Sequence, residues 1–216
     1  MSTDFIREIE EDIRRDRWKR LWDRYGLLAT AAVVLLVVGV AGWSVWRNLE
    51  TQRAEAQTAE LSRLIDRAAT ADAGTADAMA AFARGADPGR AALARFNEAA
   101  TRAKAGDTAA AIAVWDGLAR TGDLAPAWRD LATLLSVLNQ IDGGDPAALD
   151  ARLAALDATA NAYRFSVREM RAILALRQNR PERALEIWRA LTEDAETPQG
   201  VRTRAAQLVD VHGGAR

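Results

Sequence analysis

Cysteine is absent from the 216 residues, and histidine occurs once, as His212. Without thiols there is no disulfide scaffold, no thiol nucleophile and no cysteine zinc site. The lone histidine stands in the glycine-rich end HGGAR, so no Ser/His/Asp set can be assembled and no metal ligand is expected there. Lysine is scarce as well, only Lys19 and Lys104, and arginine carries nearly all the positive charge, which reads as coding bias rather than chemistry. A net charge of −1 gives no basic patch for nucleic acid. After Trp46 no segment alternates Val, Ile, Thr and aromatics with period two, so no strand is expected. The glycine-bearing turn GGDP at residues 143–146 lacks the Lys-Ser/Thr of a phosphate loop. Carboxylate groups such as Asp142/Asp145 and Glu193/Asp194/Glu196 fall at turns and helix ends, where capping explains them. The chain is expected to be no enzyme, with no cofactor, no metal site and no small-molecule substrate.

Charge is missing in one other place. The stretch 25–46, YGLLATAAVVLLVVGVAGWSVW, carries no charge at all and is bracketed by Arg24 and Arg47. As a helix it reaches about 33 Å, enough for a hydrocarbon core of about 30 Å. Trp22 and Tyr25 at one end and Trp43 and Trp46 at the other suit the two headgroup levels as membrane-interface anchors. Arg7, Arg14, Arg15, Arg17, Lys19, Arg20 and Arg24 precede the run, whereas only Arg47, Arg53 and Arg63 follow closely. By the positive-inside bias the leader is cytoplasmic and the remainder, in a bacterium, periplasmic, in an inner-membrane protein with lipid as one partner. The alternative is a cleaved signal peptide ending at Gly39-Val40-Ala41. The long charged leader and the length of the apolar run argue against it.

Alanine, leucine, arginine and glutamate make the rest helix-forming. Residues 4–24 form a charged leader helix with Phe5, Ile9 and Ile13 on one stripe. Residues 47–70 contain neither Gly nor Pro, so the helix is expected to continue past the span. A weak helix over 76–83 and the breaker GADPG follow. Further helices are expected over 90–105, 108–120, 127–141, 147–156, 163–177, 182–192 and 199–209. In the helix over 90–105, Leu93, Phe96 and Ala100 share one face. Trp115, Trp128 and Trp188 are placed on inward faces, where large rings fill the core between stacked pairs.

Two stretches match each other. Ala111, Trp115 and Leu118 fall on Ala184, Trp188 and Leu191 at one constant shift, and each set is preceded by a turn residue, Gly106 or Asn179, at that same shift. These six are the expected repeat-packing residues. A fixed-period match of helix–turn–helix units marks a helical solenoid. Small residue, aromatic four on, Leu three on, then Pro126 or Pro198 resembles the second helix of a tetratricopeptide repeat, although Arg102 and Ala175 stand where a tyrosine is common. The acidic-basic start DFIREIEEDIRRDRWKRLWDRYG, the single span and GRAALARFNEAATRAKAGDTAAAIAVWDGLA resemble the YfgM-like tetratricopeptide proteins, ancillary subunits of the SecYEG translocon.

The expected architecture is therefore all-α: a leader (1–24), a transmembrane helix (25–46), a stalk and first helix pair (47–88), a tetratricopeptide-like repeat domain (89–211) and a frayed tail (212–216), with about four helix pairs in the solenoid. The resemblance implies a periplasmic protein–protein interaction module whose partners are SecYEG or periplasmic chaperones. The alternative is a scaffold for cell-envelope or division complexes.

Overall fold

The computed structural model describes the backbone of residues 3–70 and 74–214; side chains are described from Arg24 on, except Tyr25, Leu28, Ala29, Ala32 and Val33. Among the described residues there are nine helices and no strand. The chain divides into two units, residues 1–56 and 57–216.

The first unit is helix throughout its described backbone, part of α1 (Thr3–Ala69). No proline interrupts that stretch, and Thr30 and Thr51 turn their hydroxyls back onto the carbonyls of Gly26 and Arg47 at 2.8 and 2.9 Å, which satisfies both donors within the helix. Among the described residues no helix is long and apolar enough to cross a membrane. The fold therefore does not support the span expected at residues 25–46. That stretch lies inside α1, and five of its side chains, with that of Trp22, fall outside the described residues. Within the described part, Trp43 and Trp46 pack ring to ring at 5.4 Å, and both are more than half exposed.

The second unit holds the end of α1 and α2 (Thr75–Gly85), α3 (Pro88–Lys104), α4 (Thr108–Ala119), α5 (Pro126–Leu138), α6 (Pro146–Ala154), α7 (Arg164–Arg177), α8 (Pro181–Glu193) and α9 (Gln199–Gly213). From α2 on, consecutive helices pack on one another, giving a tetratricopeptide-like solenoid. Proline starts four of them (α3, α5, α6 and α8), where its missing N–H costs nothing. GADPG is thus a launch site: Asp87 caps α3 by accepting from the backbone N–H of Gly89 and Arg90 at 3.1 and 3.2 Å. Asp145 caps α6 in the same way.

Among the described residues, four apolar clusters run along the unit. Leu61 and Leu64 of α1 meet Met79, Phe82 and Ala94. Phe96, Ala99, Ala111, Val114, Trp115, Leu118 and Ala132 form the next. Leu134, Val137, Leu149, Leu153, Val167, Met170 and Leu174 follow. Phe165, Ala172, Ala184, Trp188, Leu191, Val201 and Ala205 close the series. Each helix pair buries its own cluster against the next, as expected of a repeat stack.

Three expectations need correction. On α3 the buried face is Ala94, Phe96, Glu98 and Ala99, while Leu93 and Ala100 are exposed. Trp128 is 41% exposed, so it is no core ring. In both cases alanine occupies the close helix–helix contact (Ala94, Ala99 and Ala132 are fully buried), and the bulky neighbours are turned outward. The frayed tail is shorter than expected: α9 continues to Gly213, and the His212 ring stacks on Trp188 with 5.4 Å between centroids. Residues 215–216 lie outside the described residues.

Candidate protein-interaction surface

The two matched helices occupy equivalent places. Trp115 and Trp188 are 3% and 0% exposed, and Ala111, Leu118, Ala184 and Leu191 are buried around them. The register that sets Ala111 on Ala184 extends beyond the side chains. Thr108 and Pro181 start α4 and α8, Pro126 and Gln199 start α5 and α9, and Lys104 and Arg177 end α3 and α7. These tryptophans fill helix interfaces and present no face to a ligand.

The surface available to a partner lies at Trp128. Leu61 of α1, Leu93 of α3, Leu124 in the turn before α5 and Trp128 in its first turn line an apolar groove of about 450 Å³. The Trp128 ring rests on Phe96 at 5.4 Å and 51°, a tilted aromatic pair that fixes its orientation. One edge is polar. Arg90 donates from Nε to Thr58 Oγ1 at 2.9 Å, and its guanidinium pairs with the Asp87 carboxylate. That pairing holds the Asp87 carboxyl below the ordinary aspartate range; the hydrogen bond from the Arg90 side chain is the largest cause and the Arg90 backbone N–H the next. With its two rim charges neutralising each other, the groove offers apolar surface rather than a field.

The sister repeat shows that the fold does not require this groove. At the positions of Leu93, Phe96, Leu124 and Trp128 the second repeat carries Ser166, Glu169, Thr197 and Val201, and Thr197 and Val201 are buried. The same backbone is built there without a large exposed ring. A partly exposed tryptophan is the residue type of an interface anchor. Periodicity could not find it, because Trp128 has the spacing of a core residue; comparing residue size between the two repeats is the signal that separates them.

Several polar groups hold helices together. Glu98, 2% exposed, accepts from Arg95 at 2.8 Å and Arg102 at 3.1 Å, and Arg102 reaches on to Asp77 at 2.8 Å. Arg102, in the place where a tyrosine is common, thus ties α3 to α2. Asp116 accepts from Ser136 at 2.6 Å and from Arg152 at 2.7 Å, joining α4, α5 and α6. Among the described residues no group of three or more His, Asp or Glu is arranged to hold a metal ion.

Stacked helix pairs with a hydrophobic groove and structural ion pairs define the class, a helical-repeat protein-interaction module. The model of the tetratricopeptide repeat-like domain matches residues 19–211, and the chain belongs to that family. No curated protein and no solved structure matches the chain.

Proposed function

We propose that this protein is a membrane-tethered periplasmic interaction module that works beside the protein-export channel, in the manner of the YfgM-like ancillary subunits of SecYEG that it resembles, assisting chaperones or emerging chains. It has no catalytic role in this reading. The observation that carries the interaction is Trp128, partly exposed on Phe96 at the mouth of an apolar groove. A segment of another protein that inserts an apolar side chain there buries Leu93 and Trp128 at about 25 cal/mol per Å².

The tether is argued from solvation. Val34, Leu35, Leu36, Val37, Val38, Val40, Trp43, Val45 and Trp46 are all more than half exposed, on every side of α1, within the uncharged run 25–46. A helix that is apolar all round needs an apolar surrounding. A bilayer supplies it, and the excess of arginine and lysine before the run favours a cytoplasmic side for residues 1–24.

The test is a photo-crosslinking side chain at position 128 of the full chain in intact cells, then mild-detergent purification and identification of captured proteins. Recovery of SecYEG subunits or periplasmic chaperones above the same sample kept in the dark is expected. Recovery of division or cell-wall proteins without the translocon overturns the export reading in favour of an envelope scaffold, and no capture above the control overturns the groove.

A further inference from the structure

A second groove lies on the other repeat. Two adjoining cavities of about 240 and 200 Å³ between α7 and α8, bordered by α6, share Arg171, Arg183 and Ile187 in their walls. Arg168 and Arg180 complete the basic lining. The acids of α6 and its following loop are already engaged. Arg171 donates to Asp150 from Nε and to Asp157 from Nη1, both at 2.7 Å, and Arg168 donates to the other oxygen of Asp157 at 2.8 Å. At the rim the position is different. Among the described residues Arg183 meets only Glu186, one turn along its own helix at 2.7 Å, and both side chains are more than half exposed. Such a pair is screened by water and yields readily to a better partner. Among the described residues the side chain of Arg180 has no partner, and it sits directly after the left-handed Asn179.

The sister repeat again supplies the control. In the shared register Arg171, Arg180, Arg183 and Glu186 stand where the first repeat has Glu98, Asp107, Ala110 and Ala113. Three arginines and one glutamate replace one glutamate, one aspartate and two alanines on the same backbone. The turn and both helices form with either set, so the fold does not demand the positive charge.

We propose that this groove takes a carboxylate-bearing segment of a partner polypeptide, with Arg180 and Arg183 receiving the acidic side chain and Ile187 and Ala190 receiving an apolar neighbour. The inference rests on the interaction-module reading above and names the partner chemistry of a second surface. The apolar strip beside the arginines distinguishes a polypeptide from a bare phosphate, which has nothing to place there. Planar guanidinium groups suit carboxylates because they donate two parallel hydrogen bonds.

The test uses the full chain in mild detergent and two fluorescent peptides, one alternating Glu and Leu and one alternating Gln and Leu. The Glu peptide is expected to bind about tenfold tighter or better, to weaken as salt is raised, and to lose about tenfold in the double variant Arg180→Glu/Arg183→Glu. Arg180→Lys/Arg183→Lys, which keeps the charge but loses the paired donors, should recover only part of the binding. Equal binding of both peptides sinks the acidic preference alone. Binding by neither peptide, together with no capture at position 128, sinks the interaction-module reading as well. Complete displacement by inorganic phosphate at the same concentration overturns the polypeptide in favour of a simple anion site.

Discussion

Gly106 and Asn179, at matching positions of the two repeats, both adopt left-handed backbone conformations, at φ +82° and +57°. They end α3 and α7 with the same pair of hydrogen bonds. Asp107 N–H donates to Arg102 O and Gly106 N–H to Ala103 O, at 2.9 and 3.1 Å; Arg180 N–H donates to Ala175 O and Asn179 N–H to Leu176 O, both at 2.9 Å. This closure satisfies carbonyls that a helix end leaves open. Gly106→Ala is expected to cost about 1 kcal/mol, because the added Cβ meets no atom within 4 Å and the penalty is conformational. Gly117→Ala, inside α4 and equally uncrowded, is expected to gain about 0.5–1 kcal/mol. Urea unfolding midpoints measure both, and two changes of the same sign would show that turn geometry is not what Gly106 supplies.

The three repeat tryptophans separate by burial. Trp188→Ala empties a fully buried site and is expected to cost about 3–5 kcal/mol. Trp128→Ala loses an aromatic pair at the surface and is expected to cost about 1 kcal/mol while abolishing crosslinks from a photoreactive side chain at position 93. Thermal unfolding monitored by circular dichroism, run beside the capture experiment, checks the pair.

Glu98 is buried between two arginines that are themselves partly solvated, Arg95 at 41% and Arg102 at 23% exposure. Glu98→Ala removes charge-assisted bonds, and because both arginines can rehydrate, the expected loss is about 1–3 kcal/mol. Glu98→Gln should recover part of it. A neutral effect of both substitutions in chemical denaturation would show that the cluster contributes no stability.

Asp87 provides an acid-sensitive cap. Its folded-state pKa is depressed, so its stabilising effect is fully present above the unfolded aspartate value of about 4 and is lost as pH falls through the lower folded value. Asn is an equally good cap without the charge. The stability difference between the wild type and Asp87→Asn is therefore expected to be constant near neutrality and to shrink below about pH 4. A difference independent of pH down to unfolding would contradict the assignment.

The proposed tether is tested inside the apolar run. Val38→Arg places a charge in the middle of the uncharged stretch, at a cost of about 2.5–3.5 kcal/mol for membrane insertion. The wild-type chain is expected to stay in the membrane fraction after alkaline wash, and the variant to appear in the wash. Release of both would leave α1 without a bilayer role.

Much of this architecture is local chemistry and was legible in the sequence. The helices and their turns follow from composition, prolines and glycines, and the match of Ala111/Trp115/Leu118 with Ala184/Trp188/Leu191 coincides with matching helix starts. Local propensity, capping and breakers act through neighbours a few residues apart, so no tertiary knowledge is needed to read them. The tertiary structure decided which side chains face out. A helix wedged between two neighbours is contacted on two sides, and its closest approaches are made by alanine. Spacing alone therefore assigns Leu93 and Trp128 to a core that Ala94, Ala99 and Ala132 in fact occupy. Long-range pairing made the remaining choices: Glu98 could be buried only because Arg95 and Arg102 close on it, and His212 left the expected tail because α9 carries its ring onto Trp188.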